Sequence, residues 1–244
     1  MTETVEAAEA KLQKGLATLS LPDAPGVARV LMQFAALLLE ANQRTNLVGA
    51  VDLDKLIVHH FLDSLAPLAT RRFRPPLIDV GSGAGLPGVP IAITFPKASM
   101  TLIEPRRLRA EFLESVVATL GLSNVQVVRS AAESVGRAAA SREQAGTVLM
   151  RALGKPEVAL ELGLPLLKHS GELWLYRGRD AAPGQPVLDV ATLLGGALAS
   201  CHRVQVPGLE AERHLWVFRK VSPTPNGYPR RSGTPDRTPI QAGK

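Results

Sequence analysis

Hydrophobic positions follow two regimes along this chain, and the change comes at Leu77. Before it, apolar residues recur at helical spacing. Residues 1–20 are rich in Ala, Glu, Lys and Leu with a weak period, and the pattern stops at Leu21-Pro22-Asp23. Val27, Val30, Leu31, Phe34, Leu37 and Leu38 then mark the buried face of a second helix from Gly26 to Ala41. The stretch from Asn42 to Val48 breaks it, and Asp52 is placed to cap a third helix running through Ile57, His59, Phe61 and Leu65 to Pro67.

From Leu77 onward, short apolar runs alternate with helical patterns. Strands are predicted at Leu77–Val80, Met100–Ile103, Val125–Val128, Thr147–Met150 and Glu172–Tyr176. Helices are predicted at Val89–Phe95, Arg106–Leu120 closed by Gly121, Ala131–Ser141, Glu157–Lys168 and Val187–Leu198. Cys201–Val206 and His214–Arg219 read as a terminal antiparallel pair. Such alternation predicts an α/β fold with a mostly parallel, doubly wound sheet and ligands at the strand carboxyl ends. Past Val221 the pattern dissolves into Pro223, Pro225, Pro229, Pro235 and Pro239 with Arg230, Arg231, Arg237 and Lys244 against Asp236. That composition predicts an extended basic tail without a core, lying along the body, along RNA, or free. The expected division is an N-terminal helical segment over 1–70, a ligand-binding domain over 71–221 and a basic Pro-rich tail over 222–244.

Composition narrows the class. With 244 residues, 45% of them hydrophobic, the chain can bury one substantial core with an extension. It has no run of apolar residues long enough to suggest a membrane span, and its acidic start lacks a signal-peptide core. The single Cys201 excludes an internal disulfide and fits a reducing compartment, so a cytoplasmic protein is expected. A net charge of +6 suggests a polyanionic partner. Arg71, Arg72 and Arg74 precede the first strand, Arg106, Arg107 and Arg109 follow the second, and Arg177 and Arg179 follow the fifth. Together they are candidates for an RNA-binding face along one edge of the sheet; ordinary solvated charge is the plainer reading.

The chemistry concentrates at Asp79-Val80-Gly81-Ser82-Gly83-Ala84-Gly85-Leu86-Pro87-Gly88, a glycine-rich turn between a strand and a helix. Glycines let a ligand approach the main chain, and the helix start offers unpaired N–H groups. Val89 and Pro90 stand where a phosphate-binding loop needs Lys and Ser or Thr, which argues against a nucleotide triphosphatase. Leu86 stands where a dinucleotide fingerprint needs its third glycine. Gly81, Gly83 and Gly85 instead match a site for S-adenosylmethionine (AdoMet), and Glu104 at the end of the next strand is placed for the ribose hydroxyls. The plainer reading is a tight turn that binds nothing.

If AdoMet sits there, the acceptor is limited by what the chain lacks. Arg151-Ala152-Leu153 follows the fourth strand where adenine amino methylation commonly uses an Asn/Asp-Pro-Pro-aromatic motif. Cys201 lies in a late strand, where it reads as core rather than as a nucleophile for carbon methylation. A guanine N(7) attacks through its own lone pair and needs neither device. Arg151 is placed for the methionine carboxylate or for the O6 and N(7) edge of guanine, with a surface salt bridge as the plainer alternative. His59, His60 and Asp63 share a helix; a neighbouring loop or a nucleotide is a better partner for them than a metal, since no further ligand follows at usable spacing.

Asn46-Leu47, His60-Phe61-Leu62-Asp63-Ser64-Leu65, the Asp79–Gly88 turn, Arg151-Ala152 and the Gly208–Leu215 segment together resemble the glucose-inhibited division protein B family. These are 16S ribosomal RNA guanine-N(7) methyltransferases, also called ribosomal small-subunit methyltransferase G. The resemblance runs from Asn46 to Arg219, and Tyr228-Pro229-Arg230-Arg231 is similar to the tail of some members. It implies a Rossmann-like class I AdoMet-dependent methyltransferase fold, 16S rRNA or the small ribosomal subunit as partner, no membrane and no metal. It also implies AdoMet contacts at Gly81, Leu86, Glu104, Pro105, Arg106, Ala132, Glu133 and Arg151. A monomer is expected. Two departures are visible: Glu104 stands where relatives often carry Asp, which keeps the ribose chemistry, and Arg177-Gly178 stands where they often carry Lys-Gly, which keeps charge but changes its geometry. Three rivals stay open: a nucleotide-cofactor oxidoreductase on a similar sheet, a small-molecule methyltransferase, and a non-catalytic RNA-binding assembly factor.

Overall fold

The computed structural model describes residues 2–152 and 154–241. Two long helices come first, α1 (Thr2–Thr18) and α2 (Ala24–Thr45), the second capped by the Asp23 carboxylate at the Gly26 N–H. Asp52 caps α3 (Leu53–Leu56) as its sequence position predicts, accepting from Lys55 N–H at 2.7 Å. The helix then widens into a π-helical segment, Ile57–Leu62, before α4 (Asp63–Leu65) and a 3-10 turn, Ala66–Ala69. The stripe predicted for α2 is the N-terminal core: Leu12 and Leu16 of α1 join Leu31, Phe34 and Leu38 of α2, and Phe34 stacks on Phe61 at 5.4 Å. Such a pair contributes about 1 kcal/mol beyond its buried area. By length and hydropathy alone α2 could span a membrane, but that same apolar face is packed inward.

The sheet begins with β1 (Leu77–Val80), all four residues buried, and continues through α5 (Gly88–Thr94), β2 (Met100–Ile103), α6 (Arg107–Thr119), β3 (Val125–Val128), α7 (Ala132–Arg137) and β4 (Ala145–Arg151). It closes with α8 (Pro156–Gly163), β5 (Leu167–Arg177), α9 (Gln185–Leu193), β6 (Gly196–Val204) and β7 (Arg213–Lys220). Strand order is β3-β2-β1-β4-β5-β7-β6; the first five strands are parallel, and β7 runs antiparallel to β5 and β6. Side chains alternate between two cores. Leu77, Leu102, Leu149 and Trp174 face the N-terminal helices and α5, whereas Ile78, Val80, Ile103, Met150, Leu173 and Leu175 face α8 and α9.

Three predicted helices end early. The one expected to reach Lys168 stops at Gly163, because Pro165 has no N–H to continue the ladder, and β5 starts at Leu167 beside Ala145. The one expected to reach Leu198 stops at Leu193; Gly195 turns there with φ of 82°, and a Cβ on it would sit 2.3 Å from the Ser222 carbonyl. The one expected to reach Ser141 stops at Arg137, where Ala138 is already extended.

Of the three courses left open for the tail, residues 222–241 take the one along the body, and they bury Thr224 and Pro235 there. They form a strap across the α7 and α8 side of the sheet and end in a short helix, α10 (Thr234–Arg237). Arg142 and Arg137 donate to the carbonyls of Thr224, Tyr228 and Pro229 at 2.6–2.8 Å. Arg230 pairs with Glu161, whose carboxylate is fully buried in α8 and takes hydrogen bonds from its N–H, Nε and Nη2. Lys220, also buried, donates to the Leu164 carbonyl and the Thr224 hydroxyl and pairs with Glu143 at 3.1 Å. Composition left this open because the strap's energy lies in partners that the rest of the chain supplies.

Candidate cofactor cleft and acceptor cavity

The glycine turn is folded around one buried carboxylate. Asp79 points from β1 under the turn and accepts the Gly88 N–H at 3.0 Å, while the Ser82 hydroxyl donates to the Asp79 carbonyl at 2.9 Å. Burial pushes Asp79 up to about 7, even with the Gly88 N–H drawing it the other way. Gly88 cannot be larger, since a Cβ would meet Leu102 at 2.4 Å and Asp79 at 2.7 Å. Asp79 thus supports the turn from beneath, a role the sequence reading did not single out although a carboxylate inside an otherwise apolar strand was its visible signal.

Above the turn opens a cleft of about 510 Å³, within the range that holds a cofactor-sized molecule. Gly81, Gly83, Leu86, Glu104, Pro105, Arg106 and Arg151 of the expected set line it, together with His60, Arg109 and Leu47. Glu104 lies at its base, one carboxylate oxygen accepting Gly83 N–H and the other Arg106 N–H, both at 2.9 Å. Each oxygen keeps a lone pair for a second donor such as a ribose hydroxyl. Gly83 has φ of 58°, and a Cβ there would meet Arg109 Nη1 at 3.7 Å and the Gly81 carbonyl at 3.8 Å, both ordinary contacts, so its face is open to the cleft. These features fit AdoMet. Ala132 and Glu133 are not brought into the lining: Glu133 is buried at the start of α7 and accepts the Gly233 N–H of the strap at 2.8 Å.

Arg151 leaves the end of β4 and meets the π-helical segment. Its Nη2 donates to the His59 carbonyl at 2.7 Å and faces Asp63 at 3.1 Å; its Nη1 donates to Ser64 Oγ at 2.9 Å and the His60 carbonyl at 3.2 Å. The guanidinium is thus committed to the chain itself, and it acts as a wall rather than as a free clamp. Asp63 meets Arg151 of β4 through its side chain, whereas His59 and His60 meet it through their carbonyls, with His60 Nδ1 3.4 Å from Nη2. Asp63 is shared, accepting also from Arg213 Nε at 2.9 Å. His60 faces the cleft beside Arg151; burial, then the Arg151 charge, depress it to about 4, so it is neutral at neutral pH.

Behind that wall lies a second cavity of about 330 Å³, lined by Asp63, Arg151, Ala152, Tyr176, Arg177, Arg213 and His214. Tyr176 donates to the Ser64 carbonyl at 2.9 Å, and burial raises its hydroxyl far above its ordinary value. Arg177 lies over Trp216 at 4.9 Å and pairs with Asp180 at 2.7 Å, while its buried Nε has no partner. Arg179 is exposed on the loop that follows. A larger cavity, about 590 Å³ between the end of α1 and the loop joining β6 and β7, gathers no comparable chemistry.

One expected group is not at this edge. Arg71, Arg72 and Arg74 precede β1 and so sit at the amino end of the strands, opposite the cleft. Arg71 is bound to buried Glu172, and Arg74 Nη1 reaches the Ser170 carbonyl at 3.4 Å. The single basic edge read from the sequence is corrected to two separate groups, because a residue before a parallel strand and one after it lie on opposite sides of the sheet.

Comparison with known proteins gives this site a family. The family model described as rRNA small subunit methyltransferase G (GidB) matches residues 28–214. The Ribosomal RNA small subunit methyltransferase G of Chloroflexus aggregans is 40% identical over 204 residues, 82% of this chain and 84% of that one. Its namesake in Carboxydothermus hydrogenoformans is 35% identical over 238 residues, 95% of this chain and all of that one. A solved structure titled for conversion of a disulfide bond into a thioacetal group during echinomycin biosynthesis shares the fold, with a TM-score of 0.51 at 13% identity over 65% of this chain and 81% of that one. Joined to a glycine turn closed by Asp79, a cleft based on Glu104 and an Arg151 wall, these matches mean that the chain belongs to the rRNA small subunit methyltransferase G (GidB) family.

Proposed function

We propose that this protein transfers a methyl group from AdoMet to N(7) of a guanine in the decoding-region loop of small-subunit ribosomal RNA. AdoMet-dependent methylation of that RNA follows from the family. AdoMet supplies an electrophilic methyl group on a positively charged sulfur. Glu104 would hold its ribose, Gly81 and Gly83 would let it approach the main chain, and Leu86 with Pro105 would enclose it.

The choice of N(7) rests on one observation: the cavity behind Arg151 gathers the cationic donors Arg177 and Arg213, which suit the acceptor edge of a base. Asp63 is tied to two arginines, Tyr176 donates to a carbonyl, and His214 Nδ1 lies 2.8 Å from the Gly178 carbonyl. His60, across the wall, takes a proton only near pH 4. N(7) attacks through its own lone pair and asks only for donors that hold the base in place. Arginine also suits the O6 and N(7) acceptors of guanine, which makes Arg177 and Arg213 the donors for the base edge. Arg179, with Arg106 and Arg109 beside the cleft, would take the RNA backbone, and His60 would stand between cofactor and base. The reading includes action as a monomer in the cytoplasm, where its RNA substrate is made.

Transfer of labelled methyl from AdoMet to small subunits, or to their naked RNA, from cells lacking this gene tests the proposal once the modified base is mapped. Label on a guanine N(7) in the decoding region is expected. Label on another atom, or none with AdoMet binding intact, would overturn the choice of acceptor.

A further inference from the structure

The strap reaches the cofactor cleft through one side chain, Asp236. The residues before it are anchored: Arg230 by Glu161, Gly233 by Glu133, and Pro235 by burial. Asp236 itself is exposed and makes no side-chain hydrogen bond or ion pair among the described residues. The sheet order orients the cleft around it. Glu104 ends β2, with β3 and Glu133 on one side and β1, β4 and Arg151 on the other. A methyl donor whose ribose sits at Glu104 must turn its reactive end toward the acceptor cavity, which shares Arg151 and Ala152 with the cleft. Its adenine therefore lies at the opposite end, toward β3 and the strap.

We infer that Asp236 accepts a hydrogen bond from the exocyclic amino group of the adenine, so that the strap is part of the cofactor site. Among the polar atoms of the adenine ring system that group is the donor; the ring nitrogens accept, and a carboxylate would repel them. Glu133, the acid nearest in sequence to the end of β3, is already taken by Gly233. Strap docking and cofactor binding then support each other, because coupling between two binding events is reciprocal. This inference rests on the AdoMet reading of the cleft.

The test is calorimetry on the full chain with S-adenosylhomocysteine and with its analogue bearing hydrogen in place of the adenine amino group. The wild-type protein is expected to prefer the amino-bearing ligand by about tenfold, the size of one hydrogen bond to a charged acceptor. Asp236→Ala should lose that preference while binding the analogue as before. Asp236→Asn, whose amide oxygen still accepts, should recover part of it. An alanine variant that keeps the preference, or that loses affinity for both ligands equally, would overturn the inference. A wild-type chain that binds neither ligand would overturn the cofactor assignment, and the inference with it.

Discussion

Glu172 and Asp63 are each buried between two arginines, one at the amino end of the central strands and one at the carboxyl end. Glu172 takes Arg71, Arg219 and the Trp174 indole N–H, and so fastens the segment before β1 to the antiparallel end of the sheet. Asp63 takes Arg151 and Arg213, and so forms the partition between the cleft over the glycine turn and the cavity proposed for the acceptor base. The same ion-pair chemistry is a fastening in one place and a wall of the site in the other. What separates them is the end of a parallel sheet at which they fall, since strand carboxyl ends are where ligands gather.

The largest expected effect breaks the comparison directly. Asp63→Ala and Glu172→Ala should each cost about 1–2 kcal/mol in urea unfolding, because each removes a buried carboxylate from two arginines that solvent partly reaches. Methyl transfer by the folded protein should collapse only in the first. If Glu172→Ala, still folded, lost transfer as severely, the two ends would not differ as described. Next in size, Gly83→Asp should weaken AdoMet binding by about a hundredfold, because a charged side chain would stand on the open face that the cofactor has to approach. Calorimetry reads it, and retained affinity would remove the glycine turn from the site. Smaller again is the response of RNA binding to salt. Arg109→Gln or Arg179→Gln should lower the slope of log affinity against log salt by about 1 each, and Arg72→Gln should leave it unchanged. An unchanged slope for the first two would take the carboxyl end out of the RNA interface.

In the wild type the smallest effect is the net pH dependence of stability, and its parts sharpen the contrast. Asp79, raised from 3.8 to about 7, takes up a proton on folding between those values, so its contribution falls as pH rises through that window. His60, lowered from 6.5 to about 4, gives one up, so its contribution rises from pH 4 to 6.5. In the wild type these opposed slopes largely cancel. Asp79→Asn should therefore show stability rising over that range, and His60→Gln should show it falling. At the other end, burial of Glu172 is outweighed by its Arg71, Trp174 and Arg219 hydrogen bonds, which hold it below 4.5. Its contribution is complete above that value and is lost only as pH falls below it. Urea titrations at several pH values separate the three groups.

Much of this molecule was legible in the residue pattern because its elements are local. The short apolar run of β1, the glycine turn and the amphipathic face of α2 carry their structure in adjacent positions, so the parallel sheet and the place of Gly81, Gly83 and Glu104 followed from them, while Leu86, Pro105 and Arg106 came from the family resemblance. What was not legible depends on partners distant in sequence. Glu161 is an acid in the middle of α8 until Arg230 meets it, and Arg71 reads as a free surface cation until Glu172 meets it. The π-helical widening at Ile57–Leu62 is likewise invisible in an apolar period, although it lets Arg151 reach the His59 and His60 carbonyls.

The pairing of Glu161 with Arg230 also bears on how the protein is made. Synthesis delivers α8 long before residue 230, and for that interval the carboxylate that will be fully buried has no guanidinium to meet. A nascent chain in that state must either leave α8 loosely packed or keep Glu161 protonated, since burying a lone carboxylate costs several kcal/mol. The side of the sheet under the strap therefore sets only when the last part of the chain emerges. Early termination just upstream of Arg230 would leave a soft patch there, open to proteases, on a body whose N-terminal core is already complete.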